Sequence, residues 1–399
     1  MKIRKISILI LILISVFTLR SQSLCDTLPF IRCEENKIVK TNDEKLNHLV
    51  EKFKQLKSDN PNSINIVHIG DSHLQAGFLS EKIKQQLFQY FASNDTIASP
   101  GFLFPFTIAQ TNNPFYYKVE YTGNWSWCKN VDSEKTCSLG LSGITVKTND
   151  SVASFSIKMQ NDKYDFPAKY FFNIIKILHN ADSSLLVKVN NEKVYSKNGF
   201  SIAQLANLTD SISVNISIND TSKAFELYGI ILINDKLNIN YHTIGVNGAT
   251  SHSYLKCDYF STQLALINPD LVIISLGTNE AFDDDFSFLE HEYILKDLIL
   301  QIKDAVPNSS ILLVTPNDHS KEEELNKRVL RVRKNILKNC NEFQLAYWDF
   351  FTIMGGENSI NDWYNNELTA NDKIHFRKKG YEIQGKLFVN ALIKLLEEQ

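Results

Sequence analysis

An alternation of apolar runs with amphipathic helical patterns, interrupted by a strand-rich middle, constrains this fold most strongly. The alternation runs from residue 43 to about 92 and resumes at residue 241. It is typical of a parallel sheet covered by helices on both faces. Between about 115 and 235, apolar runs recur at hairpin spacing between Asn, Asp, Ser and Lys clusters, as in a β-sandwich or jelly roll. The sequence therefore predicts an α/β domain with an inserted all-β domain.

The domain boundaries follow from these changes of pattern. We expect a signal peptide at residues 1–24, the α/β domain at 25–110 and 237–399, and the inserted β domain at 111–236. The β-rich stretch spans roughly 120 residues, which suits one domain. Its predicted strands are 116–121, 143–146, 153–159, 171–178, 185–194, 211–218 and 225–233.

The first 24 residues have the parts of an export signal. Basic residues at positions 2, 4 and 5 precede a charge-free, mostly apolar run at residues 6–19. Because a bilayer crossing needs about 20 apolar residues, the run predicts a cleaved signal and no membrane contact afterwards. A lipid anchor on Cys25 is disfavoured, since Leu24 is not the small residue that such processing prefers. We expect a periplasmic or extracellular protein.

Charge and cysteine usage narrow the possible partners. The 42 Lys and Arg residues against 45 Asp and Glu leave no basic excess for binding nucleic acid. Six cysteines in the exported part allow pairing, with Cys128 and Cys137, or Cys25 and Cys33, closing short loops. For Cys257 and Cys340, burial as small apolar side chains is the alternative to pairing. No Cys or His spacing typical of zinc is present in the sequence, and we expect no metal or other cofactor.

The segment Gly70-Asp71-Ser72-His73 carries a candidate nucleophile. It follows the apolar run at residues 64–69 and precedes a helical pattern. A serine at the carboxyl end of a parallel strand, near a helix N-terminus, stands where developing negative charge is stabilised. A capping serine in a plain turn is the alternative, because Ser is a preferred N-cap residue.

Asp372 and His375 stand a few residues before the last helical pattern. A spacing of three lets a carboxylate and an imidazole meet on one turn, so Asp372 can hold the His375 tautomer that accepts a serine proton. Such a base is needed because an unactivated serine hydroxyl is a weak nucleophile. The alternative is a surface loop with an ion-paired histidine.

Two further segments offer donors for an oxyanion. Residues 245–250 present Gly248, with Gly245 as the alternative glycine, and Asn279 follows an apolar strand. Removing one such donor lowers the rate by about 10² to 10³, so an acyl-transfer enzyme depends on them. An ordinary turn glycine and a helix-capping asparagine are the alternatives.

Ser, Gly, Asn and His in this order, each at or after the end of a predicted strand, resemble the SGNH (GDSL-type) hydrolase superfamily. The four blocks lie between residues 64 and 385. The resemblance implies a flavodoxin-like, three-layer α/β/α domain with Ser72 as nucleophile and Asp372 and His375 completing the triad. The oxyanion hole would combine the N–H groups of Ser72 and Gly248 with the Asn279 side chain.

Further features resemble the bacterial peptidoglycan O-acetylesterase branch of that superfamily. They are Gly-Asp-Ser-His in place of Gly-Asp-Ser-Leu, the β-rich insert, and the segments 227–230, 244–249, 277–281 and 348–375. In that branch the insert resembles a carbohydrate-binding module, and the substrate is an O-acetylated cell-wall glycan. Thr315-Pro316-Asn317-Asp318 departs from the expected Pro-Pro-Asp without touching a triad position.

The resemblance implies a secreted serine esterase that removes O-acetyl groups from a polysaccharide through an acetyl-enzyme, with peptidoglycan as first substrate. Asp71, His73, Gly245 and Glu280 are additional candidates for substrate contact, and packing under the catalytic loop is the alternative for His73. The rival functions are an O-acetylesterase of xylan or capsular polysaccharide, an acetyltransferase, and a non-catalytic glycan-binding protein.

Overall fold

The first helix of the computed structural model, Leu24–Thr27, begins where the predicted signal segment ends. The structure describes residues 24–41, 44–56, 58, 63–91, 97–162, 169–180, 185–197, 199–220 and 222–398. Apart from Leu24, the predicted signal peptide lies outside the described residues. Within the described ranges, no helix combines the length and the apolar character needed to cross a membrane.

The strands in chain order are β1 (Ile38–Val39), β2 (Ile64–Gly70), β3 (Ile97–Ala98), β4 (Gly101–Leu103), β5 (Tyr117–Thr122), β6 (Ser126–Lys129), β7 (Ile144–Thr148), β8 (Val152–Met159), β9 (Lys169–Tyr170), β10 (Phe172–His179), β11 (Leu185–Val189), β12 (Glu192–Lys193), β13 (Tyr195–Lys197), β14 (Phe200–Thr209), β15 (Ser211–Ile218), β16 (Phe225–Ile233), β17 (Ile239–Gly245), β18 (Leu271–Ser275), β19 (Ser310–Val314), β20 (Ser320–Lys321), β21 (Glu324–Leu325) and β22 (Ala346–Trp348). The α-helices are α1 (Leu24–Thr27), α2 (Glu44–Gln55), α3 (Ser72–Gln75), α4 (Phe78–Phe91), α5 (Ser251–Leu255), α6 (Phe260–Ile267), α7 (Thr278–Phe282), α8 (Phe288–Ala305), α9 (Arg328–Phe343), α10 (Phe350–Ile353), α11 (Ser359–Asn365) and α12 (Lys378–Glu397).

A parallel sheet forms the centre of the α/β part. Its order is β22-β19-β18-β2-β17, and β1 pairs with the outer side of β22 in the antiparallel sense. Helices α2, α4 and α12 pack in one group, and α5, α6, α8 and α9 pack in another. Strands β18 and β19 are almost continuous apolar runs, because the helices shield the sheet from water. The predicted α/β class, with an additional β part, is confirmed.

The strand-rich middle of the chain forms two antiparallel sheets. The larger has the order β13-β14-β10-β16-β7-β6, with β4 also paired to β16, and the smaller has the order β12-β11-β15-β8-β5. Strand β15 shows why they stack: every second residue, from Ile212 to Ile218, is buried, while the residues between are half-buried. This alternation is that of a sandwich.

Two strand predictions in the insert were wrong in detail. The predicted strand 185–194 is divided into β11 and β12 by Asn190 and Asn191, whose φ angles of 50° and 66° turn the chain in a hairpin. Strand β14 was missed because it is largely half-exposed or exposed and lacks a clean alternation of apolar residues.

A buried ion pair holds the insert against the helix that follows the nucleophile turn. On α4, Lys84 Nζ lies 3.1 Å from Glu81 Oε1 and donates to the Pro100 carbonyl at 2.9 Å. The Tyr170 hydroxyl, at the end of β9, donates to the other Glu81 oxygen. All three side chains are buried, so the contact fixes β9 relative to α4 with its charges paired.

Four of the cysteines are paired. Cys25 is bonded to Cys33, and Cys128 is bonded to Cys137. Cys257 and Cys340 are free and buried.

Candidate active site

Ser72 lies at the carboxyl edge of the parallel sheet. Strand β2 ends at Gly70, whose neighbours in the sheet are Gly245 at the end of β17 and Ser275 at the end of β18. The loops after these three strands therefore leave the sheet at one level and surround the same crevice. Asp71 caps the short helix α3, and Ser72 is its first residue.

Ser72, His375 and Asp372 form one hydrogen-bonded series. Ser72 Oγ lies 2.8 Å from His375 Nε2, and Asp372 Oδ2 accepts from His375 Nδ1 at 2.8 Å. With Nδ1 protonated toward the carboxylate, Nε2 is left as the acceptor for the serine proton. Burial raises the pKa of Asp372, but hydrogen bonds from the His375 ring and from backbone N–H groups lower it more, so the net pKa is lowered.

The loop of Asp372 and His375 is fixed by its own backbone and by Asn317. Asp372 Oδ1 accepts from the N–H groups of Ile374 and His375 at 2.9 and 3.0 Å. Asn317 Nδ2 donates to the Ile374 carbonyl at 3.1 Å. Asn317 belongs to the segment that departs from Pro-Pro-Asp, and the sequence analysis gave it no role. At this departure from the pattern, the Asn317 side-chain amide makes a direct hydrogen bond to the loop that carries Asp372 and His375.

The predicted oxyanion donors lie at the same crevice. Asn279, near the start of α7, donates through Nδ2 to the Ala249 carbonyl at 2.9 Å and to Asp71 Oδ2 at 3.3 Å. The N–H groups of Ser72 and Gly248 have no acceptor among the described residues, so both are available to a ligand. A cleft beside them is lined by Ser72, Ala76, Phe78, Asn112, Asn247, Gly248, Asn279, His375, Phe376 and Tyr381.

Of the two candidate glycines, only Gly248 lines this cleft. Gly248 is exposed, with a φ of +82°, and a Cβ there would meet nothing closer than 3.8 Å. Gly245 is buried. A Cβ there would lie 2.7 Å from the backbone nitrogen of Gln75 and 2.8 Å from the backbone carbonyl oxygen of Asp71. Gly245 therefore allows the close approach of β17 to the nucleophile turn.

The four additional candidates for substrate contact lie beneath the cleft, which differs from the expectation. Asp71 is 1% exposed and accepts from the His73 N–H at 3.0 Å. The His73 ring is hydrogen-bonded to the Tyr381 hydroxyl at 2.9 Å, and Glu280 Oε1 accepts from both the N–H and the hydroxyl of Ser251. Like Gly245, these residues are buried and do not line the cleft beside Ser72; Glu280 lines a separate pocket with His252 and His291.

Burial also changes the protonation of two of these groups. Burial raises the pKa of Asp71 to about 7. The hydrogen bond from the His73 N–H opposes this rise, and the nearby Glu280 carboxylate adds to it. Burial, followed by the neighbouring His375 and His319, lowers the pKa of His73 to about 3. His73 is therefore a neutral packing group at neutral pH.

Gln75 is a supporting residue that the sequence analysis missed. It is 2% exposed on α3, one turn after Ser72. Its Oε1 accepts from the Asn247 N–H at 2.7 Å, and its Nε2 donates to Thr111 Oγ1 and to the Asn112 carbonyl at 3.0 Å each. Only its position close after the nucleophile gave a sequence signal, because its partners come from distant segments.

A serine, an imidazole and a carboxylate in series, beside free N–H groups, are the arrangement that activates a serine nucleophile for acyl transfer. Residues 210–383 match the family model described as GDSL-like Lipase/Acylhydrolase. The matched stretch contains Gly248, Asn279, Asp372 and His375, and Ser72 lies ahead of it. This match covers less than half of the chain and agrees with the resemblance to SGNH (GDSL-type) hydrolases.

Several solved structures are similar to this chain to different extents. A peptidoglycan O-acetylesterase is similar over 91% of this chain and 99% of its own, with a TM-score of 0.75 and 20% identity. A lipase/acylhydrolase from Enterococcus faecalis covers 39% of this chain and 76% of its own, with a TM-score of 0.33 and 22% identity. A catalytic mutant of the acetylxylan esterase Axe2 from Geobacillus stearothermophilus covers 39% and 72%, with a TM-score of 0.31 and 18% identity. No curated protein matches this chain in sequence.

Proposed function

We propose that this chain is an exported serine esterase that removes O-acetyl groups from a carbohydrate, with peptidoglycan as its first substrate. The hydrogen-bonded series Ser72–His375–Asp372 at an open cleft carries the proposal. The similarity to a peptidoglycan O-acetylesterase over nearly the full length of both chains supports the choice of substrate. In this proposal residues 25–110 and 237–399 carry the chemistry, and residues 111–236 are the insert.

In the first half of the reaction, Ser72 Oγ attacks the acetyl carbonyl carbon while its proton passes to His375 Nε2. Asp372 stabilises the resulting imidazolium. The N–H groups of Ser72 and Gly248 donate to the oxyanion. Asn279 Nδ2 donates as well when its longer bond, 3.3 Å to Asp71 Oδ2, gives way to the ligand. The bond between the acetyl carbon and the sugar oxygen then breaks, and the imidazolium returns its proton to that oxygen.

In the second half, water attacks the acetyl-enzyme and gives a proton to His375 Nε2. The bond from the acetyl carbon to Ser72 Oγ breaks, the serine recovers the proton, and acetic acid leaves and ionises in water. These steps balance with the side chains named and one water molecule. They do not call on a cofactor.

Export is part of the proposal. The signal-like pattern of residues 1–24 and the two disulfides support a periplasmic or extracellular location, where disulfides persist. Amino-terminal sequencing of the protein isolated from the cell envelope tests this location. A mature chain that begins near residue 25 is expected, and an intact residue 1 in the cytoplasmic fraction would contradict it.

Acetate release by the purified mature protein tests the chemistry. O-acetylated peptidoglycan and acetylated xylan are assayed side by side with the wild type, Ser72→Ala and Ser133→Ala. Ser133 is an exposed serine outside the cleft and serves as the matched control. We expect release from peptidoglycan that Ser72→Ala abolishes and Ser133→Ala retains.

Each other result has a defined meaning. Serine-dependent release from xylan alone keeps the mechanism and replaces the substrate. Acetyl transfer to an added sugar in place of release to water identifies a transferase. Glycan binding by the wild type without any ester cleavage would contradict the enzymatic proposal.

A further inference from the structure

A buried hydrogen bond between His73 and Tyr381 connects the two parts of the chain that carry the triad. His73 follows Ser72 on α3. Tyr381 lies in the first turn of α12, shortly after His375. The Tyr381 hydroxyl and His73 Nδ1 are 2.9 Å apart, which is hydrogen-bond distance. Both side chains are buried, so water does not compete for this bond.

Tyr381 is also joined to the residue after His375. Burial raises the pKa of Tyr381, and a hydrogen bond from the Phe376 backbone opposes this rise. The Tyr381 oxygen therefore accepts from the Phe376 N–H, which leaves its own proton available to His73 Nδ1. The rings of Tyr381 and Phe376 also pack edge to face, with their centroids 5.5 Å apart. Tyr381 thus links the residue after Ser72 with the residue after His375.

The His73 ring lies beside the proposed base. The ring centroids of His73 and His375 are 5.2 Å apart, with 31° between the ring planes. Because the pKa of His73 is lowered to about 3 by burial and by the neighbouring histidines, the ring is uncharged at neutral pH and does not repel an imidazolium on His375. His73 Nε2 is buried without a partner among the described residues. A buried polar atom without a partner costs stability, so packing alone does not account for a histidine at this position.

We propose that His73 and Tyr381 are positioning residues, which together form a bridge that holds the His375 ring at hydrogen-bond distance from Ser72. This inference rests on the proposed function and deepens it, because the bridge serves the proton transfer from Ser72 to His375. Ser72 Oγ and His375 Nε2 lie 2.8 Å apart on two separate loops, and a misplacement of about 1 Å can cost about 10² in rate. The bridge runs beside this contact, one residue further along on each loop, and joins the same loops through buried groups.

Substitutions at the two ends of the bridge test it. His73→Leu removes the ring nitrogen, and Tyr381→Phe removes the hydroxyl. His73→Asn is the matched variant, since its side-chain amide places a polar atom where Nδ1 stood. Tyr241→Phe is the control, because the Tyr241 hydroxyl is bonded to Nδ1 of the buried His68 within the sheet and outside the cleft. The control therefore loses the same kind of bond at another place.

The kinetic expectation is a loss of kcat that follows the bridge. We expect His73→Leu and Tyr381→Phe each to lower kcat for 4-nitrophenyl acetate about tenfold with little change in KM, the effect of one buried hydrogen bond. His73→Asn retains most of the wild-type rate. Tyr241→Phe lowers the urea midpoint, as Tyr381→Phe does, but leaves kcat unchanged.

A double variant tests whether the two residues act through one bond. His73→Leu combined with Tyr381→Phe is expected to lose no more activity than either single variant, because the bond is already broken in each. Losses that multiply in the double variant overturn the bridge. So does a His73→Asn variant as impaired as His73→Leu, or an equal loss of kcat in Tyr241→Phe.

A structural measurement separates failure of the bridge from failure of the proposed function. Hydrolysis of 4-nitrophenyl acetate by the wild type and by Ser72→Ala tests the serine chemistry. Crystal structures of Tyr381→Phe and Tyr241→Phe test the bridge without any substrate. The distance from Ser72 Oγ to His375 Nε2, 2.8 Å in the wild type, is expected to lengthen in Tyr381→Phe alone. Such lengthening supports the bridge whatever the ester assay shows, and an unchanged distance in Tyr381→Phe contradicts it.

Discussion

The two sides of the cleft are built differently. On the oxyanion side, Asp71, Gln75 and Glu280 are 1%, 2% and 8% exposed, and each bonds a loop that carries a proposed donor. On the acid–base side, the side chains of Asp372 and His375 are 43% and 40% exposed. The oxyanion side rests on these three buried polar groups, whereas the acid–base side has the buried Asn317 under its loop and exposes its reacting side chains to water.

This difference matches what each side has to do in the proposed reaction. Oxyanion donors stabilise a transition state best when their directions are set in advance, because then no reorganisation is needed as charge develops. The imidazole exchanges protons with serine, with the leaving sugar and with water, so access to solvent suits it. The comparison predicts that the two sides respond differently to substitution and to pH.

The largest effects are expected on the acid–base side. His375→Ala removes the base and is expected to lower kcat by about 10⁶, whereas Asp372→Ala is expected to lower it by about 10⁴. The loss at Asp372 is smaller because Asp372 acts through His375 and water reaches the same face of the ring. Steady-state kinetics with 4-nitrophenyl acetate measures both. Equal losses would show that the ring depends entirely on Asp372 for its orientation.

On the oxyanion side, Asn279→Ala is expected to lower kcat by about 10² to 10³ with little change in KM, because the donor acts in the transition state. Asn279→Asp is the matched variant, since it keeps the shape but presents a carboxylate beside Asp71. It should lose at least as much activity as Asn279→Ala. A rise in KM with kcat unchanged in Asn279→Ala would place Asn279 in ground-state binding instead.

Substitutions at Gly245 and Gly248 form a matched pair that tests how closely β17 packs against the nucleophile turn. In Gly245→Ala the new Cβ meets backbone atoms of the nucleophile turn, so we expect a loss of about 1–3 kcal/mol in the free energy of unfolding together with reduced kcat. In Gly248→Ala the Cβ has open space, and only the left-handed φ costs stability, by about 1 kcal/mol. Urea unfolding of both variants checks this order. A larger loss in Gly248→Ala would contradict the placement of Gly245 under the turn.

How much of the fold could be predicted depended on local patterning. Strands β15 and β16 occur at the predicted residues 211–218 and 225–233, because their apolar residues are closely spaced and polar turns bound them. Strand β14 escaped prediction, since a half-exposed strand is stabilised by pairing with β10 and β13, which its own residues do not reveal.

Some residues of the candidate site were also predictable from the sequence, and others were not. Ser72, Asp372 and His375 were predicted as a group from the resemblance of four separated blocks to one superfamily, and the structure brings them within hydrogen-bond distance. Gln75 and Asn317 were not, because amide side chains are common and their partners lie 36 or more positions away along the chain. Braces of this kind depend on the tertiary approach of loops.

The smallest effect, and the sharpest contrast between the two sides, is the pH dependence of stability. The pKa of Asp71 is raised to about 7, above the value of about 4 of an unfolded Asp. Between these values the unfolded state loses its proton while the folded state keeps it, so stability falls as pH rises. For Asp372, burial raises the pKa, but the hydrogen bonds from the His375 ring and the backbone lower it below the unfolded value. The stability from Asp372 is therefore present above about pH 4 and is lost as pH falls through the lowered pKa.

Asparagine substitutions isolate the two contributions. Relative to the wild type, Asp71→Asn is expected to gain about 2 kcal/mol of unfolding free energy between pH 5 and pH 7, because it has no proton to lose. The Asp372→Asn difference should change below about pH 4, as the pH falls through the lowered pKa of Asp372. Urea unfolding at pH 3.5, 5 and 7 measures both differences, and the wild type at each pH removes the effect of all other titrating groups. A pH-independent difference for Asp71→Asn would mean that water reaches this carboxyl, and the buried brace under the oxyanion loop would then be as open as the acid–base side.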